Sequence, residues 1–111
     1  MSIATHDLAA DRVAEIKAQR DRKLDIVLGG SHPAWIVGEQ VSLVKNNCVF
    51  DVVFRYSGAW VQRRYTFDAE VDVLHFAGQT PFDETKLHTL SEDMLFQSPA
   101  QISSTEDTEA H

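Results

Sequence analysis

The amino-acid sequence predicts an α+β fold: an N-terminal helix packed on a five-stranded antiparallel β-meander, followed by a short C-terminal helix and an acidic tail. Three observations predict it. Apolar residues recur at steps of three and four up to Leu28, alternate with polar ones from Ala34 to Ala77, and lose their period after Gln97. A chain of 111 residues, 43% hydrophobic and 24% charged, has room for one core. We therefore expect a single α+β domain over residues 1–96 and a flexible acidic tail over residues 97–111.

The helix runs from Thr5 to about Leu28, with Leu8, Ala9, Val13, Ile16, Leu24 and Val27 on its apolar side. Arg20 takes one turn of that stripe. Thr5 or Asp7 can cap the first amides, and Gly29-Gly30 offers the left-handed residue that ends a helix. Leu24, Ile26 and Leu28 also alternate, so the helix is read to about Lys23 and the next five residues stay open between helix and strand. The bases Arg12, Lys17, Arg20, Arg22 and Lys23 alternate with acids, as on a solvated helix face.

The meander follows from testing turns against side-chain faces, because a one-residue slip sends a whole strand's apolar set to the wrong side. A two-residue turn at Asn46-Asn47 sets Leu43 against Phe50 and Val41 against Val52. One at Ser57-Gly58 sets Phe54 against Val61, Val52 against Arg63, Phe50 against Tyr65 and Cys48 against Phe67. Three-residue loops at Gly38-Glu39-Gln40 and Asp68-Ala69-Glu70 bring in Trp35, Val37, Val71 and Val73, and place His75 across from Arg63. All four turns then agree on one inner apolar face for the helix to cover. The outer face carries Ile36, Val49, Val53, Trp60, Leu74 and Phe76 among polar groups, with Asp51 opposite Arg64 and Arg55 opposite Trp60. After the meander, Thr80-Pro81-Phe82-Asp83 reads as a cap, a first-turn proline and an acid, starting a helix to about Leu90.

Composition excludes several functions. Seventeen Asp and Glu against ten Lys and Arg give a formal charge of −7, which opposes a grip on phosphates, so no nucleic-acid partner is expected. Without the tail acids Glu106, Asp107 and Glu109, fourteen acids face ten bases, a charge of −4. The longest apolar run is Ala34–Val37, so no membrane span is expected. Asp7, Asp11 and Glu15 fall where an export signal would be apolar, and the single Cys48 has no disulfide or CxxC partner; both suit a cytoplasmic protein.

Motifs for dinucleotide, phosphate, zinc-protease, serine-hydrolase and calcium chemistry do not occur. His6, His32, His75, His88 and His111 are scattered, so neither a metal nor another cofactor is expected. Cys48 sits on the inner face as core filling.

Two functional readings remain. The first is a non-catalytic interaction or regulatory module acting as a homo-oligomer or within a complex, with an interface of Trp60, Arg55, Val53, Val49, Leu74 and Phe76 on the outer face. The alternative is a small anionic ligand held in a pocket by Arg63, His75 and Tyr65. Arg63 is the one charge on an otherwise apolar inner face, and a guanidinium there must reach the rim, find an acid or receive an anion.

Overall fold

The structure, a computed structural model, describes residues 2–99, with side chains from Leu8 onward. Helix α1 (Ser2–Leu28) leads into one antiparallel sheet of β1 (Trp35–Ser42), β2 (Asn47–Tyr56), β3 (Ala59–Asp68) and β4 (Val73–Pro81), in the order β1-β2-β3-β4. Two short 3-10 turns, Glu84–Thr89 and Glu92–Met94, follow. The broad class is the expected α+β, but the sheet has four strands and not five. Residues 100–111, most of the expected acidic tail, lie outside the described residues.

Helix α1 begins before Thr5 and Asp7, so neither caps it, and it continues to Leu28. The open stretch after Lys23 is therefore helical. Leu24 and Leu28 are four residues apart and both buried, whereas Ile26 is 76% exposed: the helical period, not the alternation, matches the burial. Gly29 ends the helix at φ 57, its N–H bonding back to the Asp25 carbonyl at 3.1 Å.

The missing fifth strand has a local cause. Gly38-Glu39-Gln40 does not reverse the chain. Val37 pairs with Asp51 and Gln40 with Val49, so β1 spends one extra residue there as a bulge, with Gly38 at φ 62. The two expected strands are thus one bulged strand. The bulge also exchanges faces: Ile36, paired with Val52, joins the inner side, while Trp35 and Val37, paired with Val53 and Asp51, go to the outer side.

The next reversal uses four residues, Leu43 to Asn46, and not the expected Asn46-Asn47 pair. Asn46 takes the positive φ of 56 and Asn47 already pairs with Ser42. Leu43 and Val44 are turn residues, and Val44 is 98% exposed.

The β2–β3 hairpin matches the expected register residue for residue, from Cys48 opposite Phe67 to Arg55 opposite Trp60. Ser57 and Gly58, at φ 52 and 83, make the tight turn whose twist suits a two-residue hairpin.

Beyond β3 the turn has four residues, Ala69 to Asp72, where three were expected, with Asp72 at φ 57 and Asp68 Oδ1 accepting from the Glu70 N–H at 3.0 Å. That one residue inverts β4. Leu74 and Phe76 oppose Phe67 and Tyr65 on the inner face, and His75 opposes Thr66 on the outer one. A second bulge lies between Phe76 and Gly78. Thr80 and Pro81 prolong β4 opposite Gln62 and Val61, so the expected helix start moves to Asp83, whose side chain accepts from the Thr85 N–H. The element it starts is a 3-10 turn.

The core fills the space between α1 and the inner face. Ile16, Leu24 and Leu28 meet Cys48, Phe50, Val52, Phe54, Val61, Tyr65 and Phe67 in one cluster, which Ala34 and Phe96 join. Each fully buried phenylalanine removes enough apolar surface to contribute about 2–3 kcal/mol. The Phe96 N–H donates to the Ala34 carbonyl at 2.8 Å and Trp35 bridges Leu95, so the last segment closes over the start of β1.

Candidate functional site

Three features can carry chemistry: a guanidinium among aromatic rings, a buried ion cluster under α1 and an open sheet edge.

Arg63 stands on the inner face of β3 opposite Gln79. Its Nε–H donates to Gln79 Oε1 at 2.8 Å and its Nη1 donates to the Tyr65 hydroxyl at 2.9 Å. The guanidinium carbon lies 4.9–5.9 Å from the ring centres of Phe54, Tyr56, Tyr65 and Phe76, within range of cation–π attraction. The expected trio is therefore not assembled: Tyr65 meets Arg63, but His75 projects from the opposite face beside Thr66. The four-residue turn is the reason.

The expected interface is likewise divided. Trp60, Arg55, Val53 and Val49 share the outer face, whereas Leu74 and Phe76 lie on the inner one. Val53 is fully buried within the chain itself, beside Trp35 and Trp60, whose ring centres are 5.9 Å apart. Further along this face Asp51 accepts from Arg64 Nε at 2.8 Å and from Gln62 Nε2 at 2.7 Å. Burial opposes the charge of Asp51, but these hydrogen bonds outweigh it and hold the carboxyl below its ordinary range.

Under α1 lies a cluster that sequence reasoning missed. Arg20 is 3% exposed, between Ile16 and Leu24 on the buried stripe. Its Nη1 donates to Glu39 Oε2 at 2.6 Å, its Nε to Asp21 Oδ1 at 2.7 Å, and its guanidinium lies 4.9 Å from the Phe50 ring centre. Lys17 also reaches Glu39, at 2.9 Å. Burial raises the Asp21 carboxyl above its ordinary range despite Arg20; at Glu39 the bonds from Lys17 and Arg20 overcome burial and lower it. The signal for Arg20 was its place four residues from both Ile16 and Leu24. Nothing local marked Glu39, which is brought there by the β1 bulge.

An open groove of about 420 Å³ runs past this cluster, between α1, the β1 bulge and Asp93–Gln97. Its two cations, Lys17 and Arg20, are already paired with Glu39 and Asp21. The Cys48 thiol, 3.4 Å from Arg20 Nη1, is fully buried, and burial raises its pKa, the wrong direction for a nucleophile. Among the described residues no group of three or more His, Cys, Asp and Glu side chains is placed to hold a metal, and no helix is long and apolar enough to cross a membrane.

The two sheet edges differ. β1 carries the bulge and Glu39, and its start is covered by Leu95 and Phe96. β4 is the other edge, and its nine residues, VLHFAGQTP, contain no Asp, Glu, Lys or Arg. Val73 is 41% and Phe76 62% exposed along it. In comparison with known proteins, the chain matches no family model, no curated protein and no solved structure.

Proposed function

We propose that this chain is a small interaction module, a homo-oligomer or part of a complex in the cytoplasm and not a catalyst, and that it associates through the open edge of β4. The observation that carries this reading is the uncharged edge. A free edge strand is a template for another strand, and edges that must stay single are commonly guarded by charge, above all lysine. β4 has no such guard, while β1 has a bulge, an acid and a covering segment.

A second copy is the partner the edge suits best. Two antiparallel β4 strands related by a two-fold axis bring the residues near the axis opposite their own copies, so any formal charge there would face itself. Between Val73 and Ala77, before the bulge, there is none. Phe76 and Leu74 would extend the inner apolar surface across the axis. Such a short contact supports a weak dimer, with a Kd roughly in the micromolar range.

Sedimentation velocity over a concentration series tests the reading. The wild type should shift from monomer to dimer. His75→Lys and His75→Glu, at an exposed position, should each stay monomeric, and a mixture of the two should recover the dimer through opposite charges. A wild type that remains monomeric throughout, or single variants that dimerise as well as it does, would overturn the proposal.

A further inference from the structure

We propose that Arg63 is the centre of a carboxylate-binding site, framed by Tyr56, Tyr65 and Phe76 and braced by Gln79. The inference does not rest on dimerisation, since it concerns a side chain on the inner face of β3 and not the backbone edge of β4.

Arg12, Lys17, Arg20, Lys23 and Arg64 each have an acid within 4 Å. Arg63 has none among the described residues, although it is half-buried and its two hydrogen-bond partners, Gln79 and Tyr65, are neutral. Its charge is stabilised by these two neutral acceptors and by ring faces, which attract a cation but do not neutralise it. A half-buried charge in that condition gains more from an anion than one in water does.

Geometry then narrows the anion. Arginine has five N–H groups in a fixed plane. Gln79 and Tyr65 take one each, which fixes the plane and leaves three without a protein partner among the described residues. Phe54, 2% exposed, closes one side of the guanidinium, while Tyr56 and Phe76, 50% and 62% exposed, flank its open surroundings. A planar anion with two oxygens in fork geometry matches the free N–H groups, and an attached ring or apolar stem would lie against Tyr56 and Phe76. The ligand chemistry is thus a carboxylate with an apolar or aromatic body. A free aromatic acid and a Glu side chain next to an aromatic residue in a peptide both present it.

The test is a titration of the isotope-labelled full chain, followed through the Arg63 Nε–H resonance and the amides of Tyr56 and Phe76. Benzoate is one arm, the blocked dipeptide acetyl-Phe-Glu-amide the second, and benzamide the uncharged control. At least one carboxylate should give saturable shifts with a Kd of about 1–10 mM, and benzamide none. Stronger binding of benzoate assigns the site to free acids; stronger binding of the dipeptide assigns it to protein segments. Arg63→Lys, which keeps the charge but loses the fork, should weaken the binding about tenfold, and Arg22→Gln on the exposed side of α1 should not change it. Phe76→Ala, at a largely exposed position, should weaken it as well, and decides the matter if Arg63→Lys fails to fold. The proposal is overturned if neither carboxylate gives saturable shifts up to about 20 mM, several times the expected Kd, if benzamide shifts the same resonances equally, or if the Arg63 and Phe76 variants bind as the wild type does.

Discussion

Removing Glu39 should cost more stability than removing Arg20, although Arg20 makes more contacts. Glu39→Gln keeps the shape of the side chain but leaves the Arg20 guanidinium, 3% exposed, with Asp21 as its remaining acid. Removing one partner of a fully buried pair costs about 3–5 kcal/mol. The side chain of Glu39 is 23% exposed and Asp21 keeps its 2.7 Å bond, so we expect about 1.5–2.5 kcal/mol. Arg20→Met keeps the aliphatic volume over Phe50, and Glu39 retains Lys17 at 2.9 Å, so the loss should stay under about 1 kcal/mol. Urea unfolding followed by Trp35 and Trp60 fluorescence reads the difference. With a slope of about 1–1.5 kcal/mol/M for a domain of this size, Glu39→Gln should lower the midpoint by about 1–2.5 M. The double variant should resemble Arg20→Met alone to within about 1 kcal/mol, since with the guanidinium gone Glu39 keeps Lys17, a pair whose lysine side chain is 42% exposed and which contributes little. A Glu39→Gln midpoint within about 0.3 M of wild type, or an Arg20→Met loss larger than that of Glu39→Gln, would refute the reasoning.

Acid should expose the same carboxylate. The folded pKa of Glu39 lies below its reference of 4.5, so its contribution is present above that pH and disappears as the pH falls through the folded value; Asp51 behaves alike below 3.8, and Asp21, shifted upward, opposes them. Glu39→Gln should therefore flatten the loss of stability below about pH 4.5 in pH-dependent urea melts. Gly38→Ala should cost about 1–2 kcal/mol in urea unfolding, because at φ 62 the strain is in the backbone and an added Cβ would meet no atom within 4 Å. Phe67→Ala should cost about 3–5 kcal/mol in the same assay, as a fully buried ring between strands and helix. Trp60→Ala should lower the thermal midpoint by uncovering Val53, yet leave any dimer seen by sedimentation intact, since the proposed contact is at β4.

The sequence alone determined what depends on local chemistry. Alternating residues from Cys48 to Phe67 around Ser57-Gly58 dictated the β2–β3 hairpin, because a two-residue turn with positive φ permits one register and the burial of Phe50, Phe54 and Phe67 leaves no other acceptable. The helix was legible from its apolar period to about Lys23, with the last turn before Gly29 open between helix and strand, and the Asp51–Arg64 pair was legible because the hairpin register carries it. Tertiary structure decided matters that turn on a single residue of chain length. Whether Gly38 makes a turn or a bulge, and whether the β3–β4 connection has three residues or four, are nearly equal choices locally. In a pleated strand each reverses the side chains on one flank, those before Gly38 in the first case and those after the turn in the second. The first choice moved Trp35 and Val37 outward and carried Glu39 to Arg20; the second took His75 to the outer face and Phe76 to the inner one, and with the β4 bulge left Gln79 opposite Arg63. Packing made both choices: Leu74 and Ile36 pack against the core only in the register observed, and an apolar face closed against α1 outweighs any preference of the turn itself.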